Sequence, residues 1–373
     1  MTQSKPRLLL NAEPFGFGPA AAIACLTPLL QERGMQISYI GETHTLDLQK
    51  HLAYEAMYDT TSMTSHEKRI LMNQLATRYD LFVTAMDFSM AEIAEAAAMP
   101  TVIYDALTWY WPQIHPAIKH ADLYIAQQFF GVQERLALEA SAFPAYAVVP
   151  PIVAANEGAE KQHVLLNMGG LQNPYWDFHD AVAYAQLMLN AVSAALPETE
   201  TLIVTTSATI AKALHDPRVS TLSRQSMIDA LRRAKTAIMT PGLGNIYDAA
   251  SFNVPTLWLP PANDSQGQQS MLLAENGCCD ESLDWSELTG AIDYRAPQTV
   301  VVQAITHALQ AVTHSKNLRQ QLSRLSSQKF QALSTHQNSN AKNLLQLFGS
   351  DGAIDIASAI AQHVESRTYV GTK

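Results

Sequence analysis

Along the first 150 positions, short apolar runs alternate with longer segments of helical period. Residues 7–11, 36–40, 81–85, 101–104 and 122–126 read as strands rich in Leu, Ile, Val, Tyr and Thr. Between them, residues 20–33 are rich in Ala and Leu and stop at Gly34. Residues 90–99 stop before Pro100, as helices do ahead of a turn. Strands alternating with helices predict a parallel sheet covered on both faces.

The rhythm breaks at Pro150-Pro151 and at the small, polar, aperiodic stretch that follows, which reads as a linker over 151–162. A second cycle then begins, with strands predicted at 164–167, 202–206, 236–240 and 256–259. Helices are predicted at about 180–196, 224–234 and 245–252. From Gln298 the pattern is helical to about Gln346, with no strand required. Gly349-Ser350-Asp351-Gly352 is a turn, and residues 353–366 form a last amphipathic helix before a frayed tail at 368–373. The predicted fold is α/β: two Rossmann-like domains facing a cleft, each a parallel sheet flanked by helices. The first domain takes 1–150 and the second 163–348, with 349–373 crossing back toward the first.

Composition narrows the function classes. A chain of 373 residues fits two domains at roughly 150 residues each. The 47% apolar content is that of a protein with real cores. The net charge of −10 and the lack of a Lys/Arg cluster argue against nucleic acid or an anionic membrane as partner. The apolar run at Leu8-Leu9-Leu10 is too short for a signal peptide, and no run of ~20 apolar residues follows, so a cytoplasmic protein that is not integral to a membrane is expected. Cys25, Cys278 and Cys279 offer neither a disulfide framework nor metal-ligand spacing. No H-x-x-x-H, H-E-x-x-H or D-x-D arrangement occurs, so neither a metal nor a cofactor is expected.

The strongest chemical signal runs from Thr240 to Ala250, where a strand meets a Gly-rich turn and the start of a helix. Gly242 and Gly244 permit close backbone approach, and unpaired amides from Asn245 onward with the helix dipole favour a phosphate. A tight turn without ligand is the plain alternative. The next predicted strand ends in a polar loop from Pro260 to Gln269, whose glutamines offer uncharged amide donors. Gly169-Gly170 follows the first strand of the second half. In the first half, Glu13, Asp87 and Asp105 each stand at the C-terminal end of a predicted strand, as candidate proton acceptors or merely as caps of turns and helices. Trp109-Tyr110-Trp111-Pro112 and His115 could build a stacking wall or pack into the core.

Residues 242–277 resemble the donor-binding region of GT-B glycosyltransferases, above all the family that adds N-acetylglucosamine to the peptidoglycan lipid intermediate and its natural-product relatives. The order Gly242, Asp248, Ala249-Ala250, Val254-Pro255, Ser265 to Ser270, Gly277 carries the likeness. It implies that Asp248 binds the ribose, that Gln266 and Gln269 meet sugar hydroxyls or phosphate, and that Gly169 and Gly170 face the diphosphate. Asn11 to Pro19 is similar to the family's G-H-x-x-P segment, which places Gly16 and Phe17 on the acceptor side. Gly16 stands where that family has a histidine, so another group must take the acceptor proton; Glu13 shares the loop and leads the candidates.

The resulting expectation is a glycosyltransferase moving a sugar from a nucleotide-diphosphate donor such as a UDP-sugar to a small-molecule, lipid-linked or protein acceptor without metal. A sugar-nucleotide hydrolase or epimerase is the enzymatic rival. A catalytically silent nucleotide-binding partner is the rival of another class.

Overall fold

The computed structural model describes residues 5–171, 176–336 and 338–370, the side chains of 368–370 excepted. Two compact units emerge: Met1–Ile152 with Phe348–Lys373, and Val153–Leu347. The first contains β1 (Arg7–Ala12), α1 (Gly18–Glu32), β2 (Gln36–Gly41), α2 (His44–Gln49), β3 (Met57–Asp59), α3 (Ser65–Leu75) and β4 (Leu81–Ala85). It continues with α4 (Phe88–Ala96), β5 (Thr101–Asp105), α5 (Pro116–His120), β6 (Leu123–Gln127), α6 (Val132–Leu138) and β7 (Tyr146–Val149). All neighbouring strands run parallel in the order β3-β2-β1-β4-β5-β6-β7.

The run Leu8-Leu9-Leu10 shows why these strands are apolar throughout. Leu8 and Leu10 join α1 in one core, while Leu9 points to the other face, where Met72 and Leu75 of α3 and Met90 and Ile93 of α4 enclose it. A strand covered on both faces needs apolar side chains at both parities.

The second unit contains β8 (His163–Met168), α7 (Phe178–Ala195), β9 (Leu202–Thr206), α8 (Ala208–Leu214), β10 (Val219–Ser220), α9 (Arg224–Arg232) and β11 (Ala234–Met239). After these come α10 (Leu243–Phe252), β12 (Thr256–Trp258), α11 (Asp264–Glu275), β13 (Glu281–Ser282), α12 (Gln298–His314), α13 (Lys316–Leu333) and α14 (Asn343–Phe348). Its parallel sheet has the order β10-β9-β8-β11-β12-β13. Val164, Leu166 and Met168 pack with Tyr184 and Met188 of α7, Ile305 of α12 and Leu322 of α13.

α15 (Gly352–Val370) closes the chain on the first unit, where Ile356, Ala357, Ile360 and Val364 enter the core around α1. Its entry is tight. Asp351 bridges Ile152, and a Cβ on Gly352 would lie 2.2 Å from the Pro150 carbonyl oxygen, a spacing only glycine allows.

Every predicted strand is present, but the short strands at the four sheet edges, β3, β7, β10 and β13, were not predicted. The segment read as a polar loop is largely α11: Asn263 caps it by accepting from the Gln266 amide at 2.9 Å, and Gln266 and Gln269 are buried. The helix predicted over 224–234 stops at Arg232 because Ala234 begins β11. The tail expected to fray is helical through Val370, and 371–373 lie outside the described residues. No described helix is long and apolar enough to cross a membrane.

Candidate functional site

Both sheets reverse their winding direction at one place, between β1 and β4 and between β8 and β11. Open α/β sheets bind ligands outside the strand ends at such switch points, because the flanking loops diverge there. Of the residues singled out in the sequence, Glu13 and Asp87 follow the strands at the first of these positions, and Gly169, Gly170, Gly242, Gly244 and Asn245 follow those at the second.

In the second unit, β8 ends at Asn167-Met168 and turns through Gly169-Gly170, with Gly170 at φ +74°, a conformation side-chain-bearing residues rarely adopt. Across the switch point, β11 ends and Thr240 leads into α10. Side chains join the two turns. Asn167 accepts from the Gly169 amide at 3.0 Å and donates to Asn245 Oδ1 at 3.0 Å. Thr240 donates to the Gly169 carbonyl at 2.6 Å, and Asn245 donates to the Thr240 carbonyl at 3.0 Å. From the neighbouring strand, Thr206 donates to the Met168 carbonyl at 2.9 Å. Asn167 and Thr240 are both buried, which partly shields these bonds from competing water.

No side chain caps the start of α10, and no atom stands within 4 Å of where a Cβ would project from Gly242 or Gly244. The first amides of that helix carry the positive end of its dipole with no side chain capping them. Gln266 approaches from α11: its Oε1 accepts from the Ala262 amide at 2.9 Å, and its Nε2 lies 3.6 Å from the Cβ position of Gly170. One turn on, Gln269 is 3% exposed and its Oε1 lacks a protein partner. Asp248 is buried on α10 and forms a two-pronged pair with Arg224, at 2.5 and 2.9 Å.

In the first unit, Glu13 follows β1 and its amide donates to the Ala85 carbonyl at 2.9 Å, which holds it beside the end of β4. Burial raises its pKa to about 7, reinforced by Asp87 and Glu42 and opposed by Lys68. Asp87 caps α4 through the Met90 amide at 2.9 Å, and burial raises its pKa as well. Lys68 reaches from α3 to Glu42 at 2.6 Å. Two residues beside these groups hold positive φ despite carrying side chains, Met86 at 64° and Thr43 at 51°. Such strain costs about 1–3 kcal/mol and persists where the surroundings impose it.

Gly16 and Phe17 meet His44, a residue the sequence reading did not select. Its Nε2 lies 2.5 Å from the Gly16 carbonyl, and its ring meets Phe17 edge-on at 5.1 Å. Glu42, Lys68 and Arg224 were also missed. Glu42 and His44 stand just past the end of β2, a position that marks them, whereas nothing local marks Lys68 or Arg224.

Asp105 is placed differently from Glu13. It is fully buried and accepts from Tyr124 and Trp111 at 2.7 Å each and from the Leu107 amide at 2.6 Å, which makes it an anchor for the loop after β5. Its pKa is raised by burial. His115 caps α5 and stacks on Phe88 at 4.9 Å, and Phe88 meets Trp111 edge-on. Trp109 packs against Phe129 at 5.2 Å. Among the described residues, no group of three or more His, Cys, Asp or Glu side chains is arranged to hold a metal ion.

No family model matches the chain, and no curated protein matches it. Solved structures do. Acinetobacter baumannii MurG is 14% identical with a TM-score of 0.53, covering 96% of this chain and 99% of its own. Phytolacca americana UGT2, complexed with UDP-2-fluoro-glucose and pterostilbene, is 12% identical at a TM-score of 0.51, covering 96% and 100%. A Listeria monocytogenes protein described as a UDP-N-acetylglucosamine 2-epimerase is 13% identical at a TM-score of 0.56, covering 98% of each. Identities this low speak for architecture alone. With its two parallel α/β sheets matched nearly end to end by these structures, the chain has the GT-B fold.

Proposed function

We propose that this protein is a glycosyltransferase that draws its sugar from a nucleoside diphosphate donor. The carrying observation is the hydrogen-bonded union of the Gly169-Gly170 turn with the start of α10 through Asn167, Thr240 and Asn245. Peptide amides fixed in this way need no reorganisation as charge builds on a departing diphosphate, which is where catalysis gains most. The fold's presence in UGT2 with a bound UDP-sugar analogue supports the assignment of the ligand class.

In this reading the second unit holds the donor and the first supplies the proton acceptor. As the acceptor oxygen attacks the anomeric carbon, its proton passes to Glu13 and the bond to the diphosphate breaks. A carboxyl group with a pKa of about 7 suits that task near neutrality. Gln266 and Gln269 donate to the sugar or phosphate, and no cofactor or metal takes part. Gly16, Phe17, Trp109 and His115 line the acceptor side.

Calorimetric titration with uridine, thymidine and guanosine diphosphates tests the proposal, and binding of none of the three removes it. One observation favours a second reading. Glu13 and Asp87 are two partly or wholly buried carboxyl groups on adjacent strand ends, both with raised pKa, and such a pair could exchange protons on the sugar itself, as an epimerase must. An altered sugar nucleotide, formed without any acceptor, would select that reading.

A further inference from the structure

The carboxylate that the resemblance assigns to the ribose is covered. The Asp248 side chain is 3% exposed, and both its oxygens are engaged by the guanidinium of Arg224, whose own side chain is 32% exposed. Asp248 lies one helical turn beyond Asn245, which itself joins the two phosphate-facing turns, so the pair stands beside the proposed diphosphate site. Of the two groups, the arginine is the one with the greater exposure.

We infer that Arg224 is the residue that reads the ribose, donating N–H groups to the hydroxyl oxygens, and that Asp248 is a positioning residue fixing the guanidinium from below. The planar fork suits both tasks at once: one edge binds the two carboxylate oxygens, and the arrangement fixes the direction of the others. A lysine keeps the charge beside Asp248 but cannot span two oxygens and a ligand in a fixed plane. The inference rests on the nucleoside diphosphate reading and replaces the ribose contact expected of Asp248.

The test is calorimetry on the full chain with uridine diphosphate and its 2′,3′-dideoxy analogue, using the wild type, Arg224→Lys, Arg224→Gln and Asp248→Asn, with thermal melting as a check of folding. The wild type should prefer the ribo form by about 10-fold or more, as expected for a hydrogen bond from a charged donor. Arg224→Lys should stay folded and lose most of that preference while retaining affinity for the dideoxy form. Asp248→Asn should reduce the preference by loosening the guanidinium. Full preference in folded Arg224→Lys overturns the inference and leaves the nucleotide reading intact. A wild type that binds both forms equally also overturns it, and a wild type that binds neither removes the nucleotide reading with it.

Discussion

Replacing Glu13 by Gln removes a charge while keeping the side chain's shape, and its consequence can be worked out without knowing the substrate. Raising a carboxyl pKa from 4.5 to about 7 means that ionising Glu13 in the folded protein costs about 3 kcal/mol more than in the unfolded chain. Because the group keeps some solvent contact, roughly 2 kcal/mol is the figure to look for. The folded pKa is above the unfolded one, so the favourable contribution is complete below about pH 4.5 and is lost as pH rises through 7. The wild type should therefore weaken between pH 5 and pH 8 relative to Glu13→Gln, which has nothing to ionise. Urea unfolding at the two pH values measures the difference. Expected are near-equal stabilities at pH 5 and a gain of about 2 kcal/mol for the variant at pH 8, together with a 10²–10⁴-fold loss of sugar transfer. A stability difference independent of pH would refute the assignment of Glu13 as a buried, strained acid.

Three further outcomes are expected. Lys68→Met removes a cation that opposes proton uptake, so the Glu13 titration followed by carbon-13 NMR should move upward; no movement would dissociate the ion pair from Glu13. Asn167→Ala frees the Gly169 amide and the Asn245 side chain from each other and should weaken uridine diphosphate binding about 10-fold by calorimetry, with wild-type affinity arguing against a joined site. Gly352→Ala would press a methyl group onto the Pro150 carbonyl, so α15 should detach and become sensitive to limited proteolysis; unchanged protection would mean that the backbone yields there at little cost.

What could be read in the sequence followed the physics of each segment. Leu8-Leu9-Leu10 and residues 202–206 announce buried parallel strands because both faces of the sheet demand apolar side chains. Edge strands such as Val219–Ser220 and Glu281–Ser282 bury little, are very short and leave no periodic trace. The run Asn263-Asp264-Ser265-Gln266-Gly267 looks like a loop by composition. Its polar residues are a cap and buried hydrogen-bonding groups of a helix, which composition cannot distinguish from solvated ones. The turns at Gly169-Gly170 and Gly242 were visible as motifs, but their union depends on Asn167 and Asn245, which are 78 positions apart. The same holds for Arg224 and Asp248, and for Lys68 with Glu42: each pairing is created by strand order, which no local pattern encodes.

The placement of α15 reverses the usual order of assembly. During synthesis the second unit has its whole sequence available by Leu347, whereas the first waits for Ile356, Ala357, Ile360 and Val364 to fill the gap over α1. Until those last turns emerge, the earliest-made sheet has an incomplete apolar cover. A nascent chain stalled before residue 352 should accordingly present a protected later half and an earlier half that chaperones still recognise.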